Sequence, residues 1–423
     1  MFSSRRLRWP GGALALLVMA VTIAACGSSK PSTTKTTSTV SSTSSSVAAS
    51  ATSSTESAGT IPVTFVGDET GLVAFVGKEV LKGMEVAVKR ANASGELHGK
   101  KIVLSVMDTA SNVSTATVKM SDAVKSNAVA VFGPLLSNEA LATAPIAERG
   151  KVVDIETEAE VGGLLQIGKY IYRLTPSEFL YYPLTVDHLA KLGVKHVNLV
   201  YASDNPTLTE ESTKLLPEWT KKLGISIGTS VGIPSTTTEF SSIVTKLETG
   251  KPEAIGVNMI GPAIASIASA LRTSGYKGTI FCDQSATAGS LKPGGSAANG
   301  IIYGVLYSPE MSFPSSKEFT KLYEESFPGE KPQGYDATGY DAMTAFADAI
   351  AKSGSDTREG VLKGMQELTV AGSFDGGSGP LKFTGPEHRE VSGPGALVEW
   401  KEGAEHMLVQ GTPGLESQPL KAQ

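Results

Sequence analysis

The sequence predicts an α/β protein built as two similar doubly wound lobes with parallel central sheets. Two observations carry this. Short apolar runs alternate with stretches of helical period along most of the chain, the rhythm of strand, helix and parallel strand. About 360 residues follow Ile61, too many for one ordinary hydrophobic core and suited to two.

The first 25 residues stand outside that rhythm. Arg5, Arg6 and Arg8 precede an apolar run at 11–25 that is too short to span a bilayer comfortably, the pattern of a secretory signal. It ends Ile23-Ala24-Ala25-Cys26-Gly27, which resembles the lipobox of bacterial lipoproteins, where the cysteine becomes the lipidated mature N-terminus. The competing reading is ordinary cleavage beside an incidental cysteine. Two acyl chains on Cys26 suffice for stable anchoring. Residues 26–60 then read as a tether. Residues 28–60 are almost all Ser, Thr and Ala, with no aromatic residue and two valines, so they bury no core.

From residue 61 the elements follow in order. A strand at 61–67 leads through Thr70-Gly71 to a helix at 78–93, with Leu81, Met84, Val88 and Ala91 at helical spacing. A strand at 101–107, a helix at 113–126 and a buried strand at 129–132 come next. Gly133-Pro134 breaks that strand; Ser137 and Asn138, both capping types, precede helical positions at 139–148, and a short run at 152–153 ends in the loop 156–160. The second half repeats the pattern. It has strands at 196–201, 225–231, 254–259, 278–282 and 301–307, and helices at 209–223, 240–248, 263–274, 316–327 and 340–352.

Composition excludes several functions. The formal charge is −5, falling to −8 once the three arginines of the leader are removed, and no basic stripe offers a nucleic-acid footprint. Beyond Cys26 the single cysteine is Cys282, so no disulfide framework exists; at the end of an apolar run it reads as a buried structural thiol rather than a nucleophile. The five histidines show no Ser or Cys partner and no metal-ligand spacing. Gly294-Gly295-Ser296 through Gly300 precedes a strand and lacks a following Lys-Ser/Thr pair, so it reads as a turn, not a phosphate loop. No enzyme, metal or cofactor is expected.

The informative stretch is 129–160. Its two loops fall at the carboxyl ends of strands, the edge where open α/β sheets take ligands. A helix N-terminus there offers unpaired N–H groups, and the Ser137 hydroxyl adds a donor. Ser137 serves either as a helix cap or as a ligand contact; composition alone favours the cap.

Three further pieces carry a resemblance. KGMEVAVKRANASGELHG at 82–99, Gly133 through Leu136 and Ser137, and Tyr340-Asp341-Ala342 opening a long helix are similar, in order and spacing, to the branched-chain amino-acid-binding type of periplasmic solute-binding protein. The likeness runs from about 61 to 400. It implies a type I fold crossed three times, near residues 173–178, 307–311 and 374–385, with hinge closure around a ligand. The implied division is residues 61–175 with 308–376 as lobe 1, 176–307 with 377–412 as lobe 2, and 413–423 as a tail. It also implies a lipid-anchored protein on the outer face of the membrane that captures an amino acid or a related polar, amide or hydrophobic compound and passes it to ABC permease subunits. A ligand-sensing receptor subunit of the same fold is the alternative.

In the family the ligand carboxylate meets a serine, here Ser137 with Leu136 beside it, and backbone groups of a facing loop, here Thr157, Glu158 and Ala159. The ammonium meets an acid and tyrosines of the second lobe. The acid falls at Gln284, next to Asp283; the tyrosines fall at Pro206 and Ile260; the first-lobe aromatic falls near Phe75 and Val76. A zwitterion needs a counter-charge for its ammonium, because an unpaired buried charge is costly, and Gln284 is neutral. Asp283 replaces it only if the strand register slips by one. Glu156, Glu158 and Glu160 read as a solvated loop; pointing inward, they would favour a cationic or donor-rich ligand and oppose a carboxylate.

Overall fold

The computed structural model describes residues 59–412. The expected signal, Cys26, the tether up to residue 58 and the tail from 413 lie outside the described residues.

The first sheet begins with β1 (Thr60–Gly67), α1 (Ala74–Ser94), β2 (Lys101–Asp108), α2 (Val113–Lys125), β3 (Ala130–Phe132), α3 (Ser137–Gly150), β4 (Val153–Glu156) and β5 (Ile171–Arg173). The chain then builds α4 (Tyr182–Lys191), β6 (His196–Ala202), α5 (Pro206–Glu210), a π-helical turn (Glu211–Leu215), α6 (Leu216–Lys222), β7 (Ser226–Ile233), α7 (Ser241–Leu247), β8 (Ala254–Asn258), α8 (Ala263–Ser274), β9 (Thr279–Cys282), α9 (Ala288–Leu291) and β10 (Ile301–Val305). It returns as α10 (Pro314–Ser326), α11 (Gly334–Ser353), α12 (Arg358–Ala371), β11 (Ser373–Gly376), β12 (Gly379–Thr384) and β13 (Glu390–Ser392), and ends in β14 (Ala396–Lys401) and β15 (Ala404–Gln410).

The first sheet has the order β11-β12-β13-β5-β4-β3-β1-β2 and the second β15-β14-β10-β9-β8-β6-β7. The inner strands pair in parallel, while β11-β12-β13 and β10-β14-β15 add antiparallel edges. The central strands are short and apolar because helices cover both faces: β3 and β8 are buried at every position. One apolar cluster runs through both lobes; smaller ones sit beneath α2 and α3 and beneath α4 and α6. The longest helices, α1 and α11, pack glycine to backbone. A Cβ on Gly83 would stand 1.8 Å from the Asp336 carbonyl oxygen, and one on Gly339 2.0 Å from that of Val80, so neither position admits a side chain.

The chain passes between the sheets at residues 174–181, 306–313 and 393–395. The third passage lies later than the sequence reading set it. β12 and β13 hydrogen-bond into the first sheet, so residues 379–392 belong with lobe 1 and not with lobe 2. The cause is Asp341 of α11, whose carboxylate accepts the N–H of Gly377 and that of Ser378, the latter at 3.2 Å, and pins the β11–β12 turn to lobe 1. The helix expected over 209–223 is also interrupted. The π-helical turn brings Glu211 inward, where it accepts a hydrogen bond from Asn258 Nδ2 at 2.7 Å.

Candidate ligand-binding cleft

A cleft of about 560 Å³, counting its open mouth, lies at the carboxyl ends of parallel strands from both sheets. Lobe 1 supplies Val73, Phe75 and Val76 after β1, Leu135 to Ser137 after β3, and Glu158 and Glu160 after β4. Lobe 2 supplies Asn205, Thr207 and Leu208 after β6, Ile260 and Gly261 after β8, and Asp283 to Ser285 after β9. Glu178 enters from the first crossing and Tyr335 from the start of α11.

Of the residues singled out from the sequence, Phe75, Leu136, Ser137, Glu158, Ile260, Asp283 and Gln284 line this one cleft. Thr157 and Ala159 do not. Both side chains are fully buried away from it, Ala159 in the apolar cluster with Val161 and Leu164. Pro206 opens α5 beside the cleft without lining it. Glu178, Thr207 and Tyr335 were not singled out as ligand contacts, and Glu160 only as one of three loop acids expected in solvent. For Thr207 a signal was available: Asn205-Pro206-Thr207 follows β6 as Leu136-Ser137 follows β3, a strand leading into a helix start. Glu178 has none; only the fold brings the crossing segment here.

Ser137 is the first residue of α3, and Leu136 holds the cap position with no side-chain cap bond. The expected cap is therefore absent. The Ser137 hydroxyl instead bonds the Thr207 hydroxyl at 2.9 Å, from the opposite lobe. Asn205 caps α5 by accepting the Leu208 N–H at 3.0 Å, which fixes the turn that presents Thr207.

The floor of the cleft is acidic. Glu160 Oε2 accepts from Ser177 Oγ at 3.0 Å and from the Glu178 N–H at 2.8 Å, and its Oε1 accepts from Gln284 Nε2 at 2.7 Å. Gln284 Oε1 in turn accepts the Tyr181 hydroxyl, and the Gln284 N–H donates to Glu178 Oε2 at 3.4 Å. Asp283 Oδ2 accepts the N–H and hydroxyl of Ser285, at 3.1 and 2.6 Å. Glu158 Oε1 accepts the Thr338 hydroxyl. Burial raises all four carboxyls above the usual range. Neighbouring carboxylates add to this at Glu178, where Glu211, Glu160 and Asp283 act together, while Arg173 and three hydrogen bonds oppose it at Glu160. The loop expected to be solvated is therefore turned inward. Glu156 is buried with Asp154 on β4 and faces away from the cleft lining.

Asp283 and Gln284 both reach the cleft, with no slip of register. β9 stops at Cys282, and the chain turns at once, the Ala286 N–H donating to the Asp283 carbonyl at 3.2 Å. Strand alternation does not apply beyond that point. Among the described residues no group of three or more His, Cys, Asp or Glu is arranged to hold a metal ion, and no helix is long and apolar enough to cross a membrane.

Two mostly parallel sheets, linked by three passages around one cleft, define a two-lobed solute-binding protein. The chain belongs to the periplasmic binding protein family, whose sequence profile matches residues 60–405. A Leu/Ile/Val-binding protein homolog from Brucella melitensis is 24% identical over 351 residues, covering 79% of this chain and 89% of the relative. A leucine-binding protein from Thermotoga maritima superposes with a TM-score of 0.76 at 24% identity, over 84% of this chain and 99% of that one. A solute-binding protein from R. palustris, solved with benzoate, gives 0.75 at 19% identity, over 86% of this chain and all of that one (100%). These structures share the fold.

Proposed function

We propose that the protein is a lipid-anchored, extracytoplasmic solute receptor that captures a small molecule between its lobes and delivers it to the permease of an ABC-type transporter. The observation that supports this most directly is the cleft itself. It is walled by both lobes and bridged by the Ser137–Thr207 hydrogen bond, the arrangement hinge closure around a solute requires. Phe75, Leu136 and Ile260 give an apolar wall, and Ser137, Glu158, Asp283 and Gln284 give the polar contacts that orient a guest. The backbone beside Thr157 and Ala159 serves at most to shape the loop that presents Glu158.

The test is calorimetry of the full mature chain against a panel of amino acids, amides, amines and small aromatic acids, with mass spectrometry of any solute released on denaturation. One chemical class binding at one-to-one stoichiometry supports the reading. No binder in the panel and no released solute overturn it.

A further inference from the structure

Four carboxyl groups, Glu158, Glu160, Glu178 and Asp283, line the cleft, and among the described residues no lysine, arginine or histidine does. Arg173, a buried cation whose charge acts on Glu160, is engaged by Glu390, with Nη2 2.5 Å from Oε1. The hydroxyls of Ser137 and Thr207 bond each other. A carboxylate guest thus finds no positive side chain and meets a cluster of acidic groups.

The hydrogen-bond inventory shows what is missing. The bonds described above occupy both oxygens of Glu160, and the proximity of Glu178 and Glu211 places one carboxyl against another. Two oxygens are left. Asp283 Oδ1, on a side chain with 0% exposure, has no partner, and neither has Glu158 Oε2. One belongs to each lobe, and both residues line the cleft. A buried carboxylate oxygen without a donor is costly, and a cationic N–H donor relieves both its charge and its hydrogen-bond deficit. On the other side Phe75, Leu136, Leu208 and Ile260 form an apolar wall that suits a hydrocarbon body.

We propose that the cleft takes an organic cation, a small amine or guanidine with an apolar body and no free carboxylate, whose N–H groups bond Asp283 Oδ1 and Glu158 Oε2. This rests on the solute-binding reading above and names the class of solute. The absence of a counter-ion for a carboxylate separates such a guest from the zwitterion that carries the same side chain.

The experiment is calorimetry of the full mature chain near pH 7.5 with matched probes: 3-methylbutylamine against leucine, phenethylamine against phenylalanine, agmatine for a guanidine, and benzoate for an anion. The expected result is at least one of the three cations binding, each amine that binds at least tenfold tighter than its amino acid, and no benzoate binding. Asp283→Asn and Glu158→Gln, which keep shape and lose charge, should each weaken cation binding tenfold or more with melting temperature little changed. Should either variant fail to fold, the other and the probe comparison decide. Leucine or benzoate binding with all three cations silent overturns the cation assignment and leaves the solute-binding reading intact. Silence of every probe, with no solute released from the purified chain, overturns both. Cation binding undiminished in both variants overturns the assignment to these two carboxylates.

Discussion

Ser137 Oγ and Thr207 Oγ1 meet at 2.9 Å across the cleft, each at the start of a helix that follows a parallel strand, α3 in lobe 1 and α5 in lobe 2. Both side chains are buried, and the pair is a direct polar tie between the lobes beside the cleft. It follows that removing either hydroxyl breaks a contact between the lobes.

Ser137→Ala and Thr207→Val should each weaken ligand binding by roughly 1–3 kcal/mol, the range for leaving a buried hydrogen-bonding group unpaired. Folding stability should change less, because Ser137 does not cap α3. Calorimetry with the bound solute and thermal melts of both variants check this. Small-angle scattering should show each variant more open than the wild type. A variant that melts far earlier yet binds with unchanged affinity would assign the pair to folding alone.

Buried carboxyls set the response to pH. Burial raises Glu139 to about 8, with Asp68 adding to it, and raises Asp336, Asp341 and Glu405 to about 7, against roughly 4 in an unfolded chain. Below the unfolded value both states hold these protons and no penalty exists. As pH rises from about 4 toward 8 the unfolded chain releases them first, so stability is lost across that window. Asp108, Glu253 and Asp356 shift downward, so their support is present above the unfolded value and is lost only in stronger acid. The ligand-free protein should therefore melt several degrees higher at pH 5 than at pH 8. A melting temperature that climbs over that range would mean these groups are ionised in the folded protein.

Much of the fold was legible because buried parallel strands read as short apolar runs, as at 129–132 and 254–258, and the helices between them keep a 3.6-residue period. Strands β12 and β13 were assigned to the wrong lobe because periodicity does not say which sheet an edge strand joins; the pairing of β13 with β5 and the hold of Asp341 on Gly377, 36 residues later, place them in lobe 1. The site was half legible for a related reason. The strand end at Ser137 could be placed from local pattern, while Ile260 and Asp283 came from the family resemblance. The inward turn of Glu158 and Glu160 could not, since their partners Thr338, Ser177 and Gln284 are 180, 17 and 124 residues away.

Cys282 is a free, fully buried thiol whose surroundings, chiefly burial, then Asp283, push its ionisation upward. The thiolate is the reactive form. Iodoacetamide should leave Cys282 unmodified in the native protein and alkylate it after denaturation, and reductant should not move the melting temperature. Rapid native labelling read by peptide mass spectrometry would contradict the burial.

The anchoring proposal rests on Cys26, which lies outside the described residues. Cys26→Ser should move the protein from the membrane to the soluble fraction while the melting temperature of the folded part stays put. Wild-type protein found wholly soluble and without lipid by mass spectrometry would remove the anchor.

Gln284 supplies the most discriminating substitution. Taken from family likeness alone, Gln284→Glu restores the acid that greets an amino-acid ammonium and should create leucine binding. The geometry says otherwise. Gln284 Nε2 donates to Glu160 Oε1 at 2.7 Å while Oε1 accepts from Tyr181, so the amide links a carboxylate to a hydroxyl. A carboxylate in that place loses the donor and sets two negative charges within hydrogen-bond distance. Losing a hydrogen bond to a charged group costs roughly 1.5–3 kcal/mol before the repulsion is counted. The new group is half-buried and stands against the buried Glu160 carboxyl, so its folded-state pKa lies above its unfolded value, and the penalty grows as pH rises through that range. Gln284→Glu should therefore melt near the wild type at pH 5, where the two carboxyls share a proton, and clearly below it at pH 8, with no gain in leucine affinity at either pH. Thermal melts at the two pH values and calorimetry with leucine decide it: a variant that binds leucine tightly and keeps its stability at pH 8 would show that the side chain at 284 turns away from Glu160 toward the guest.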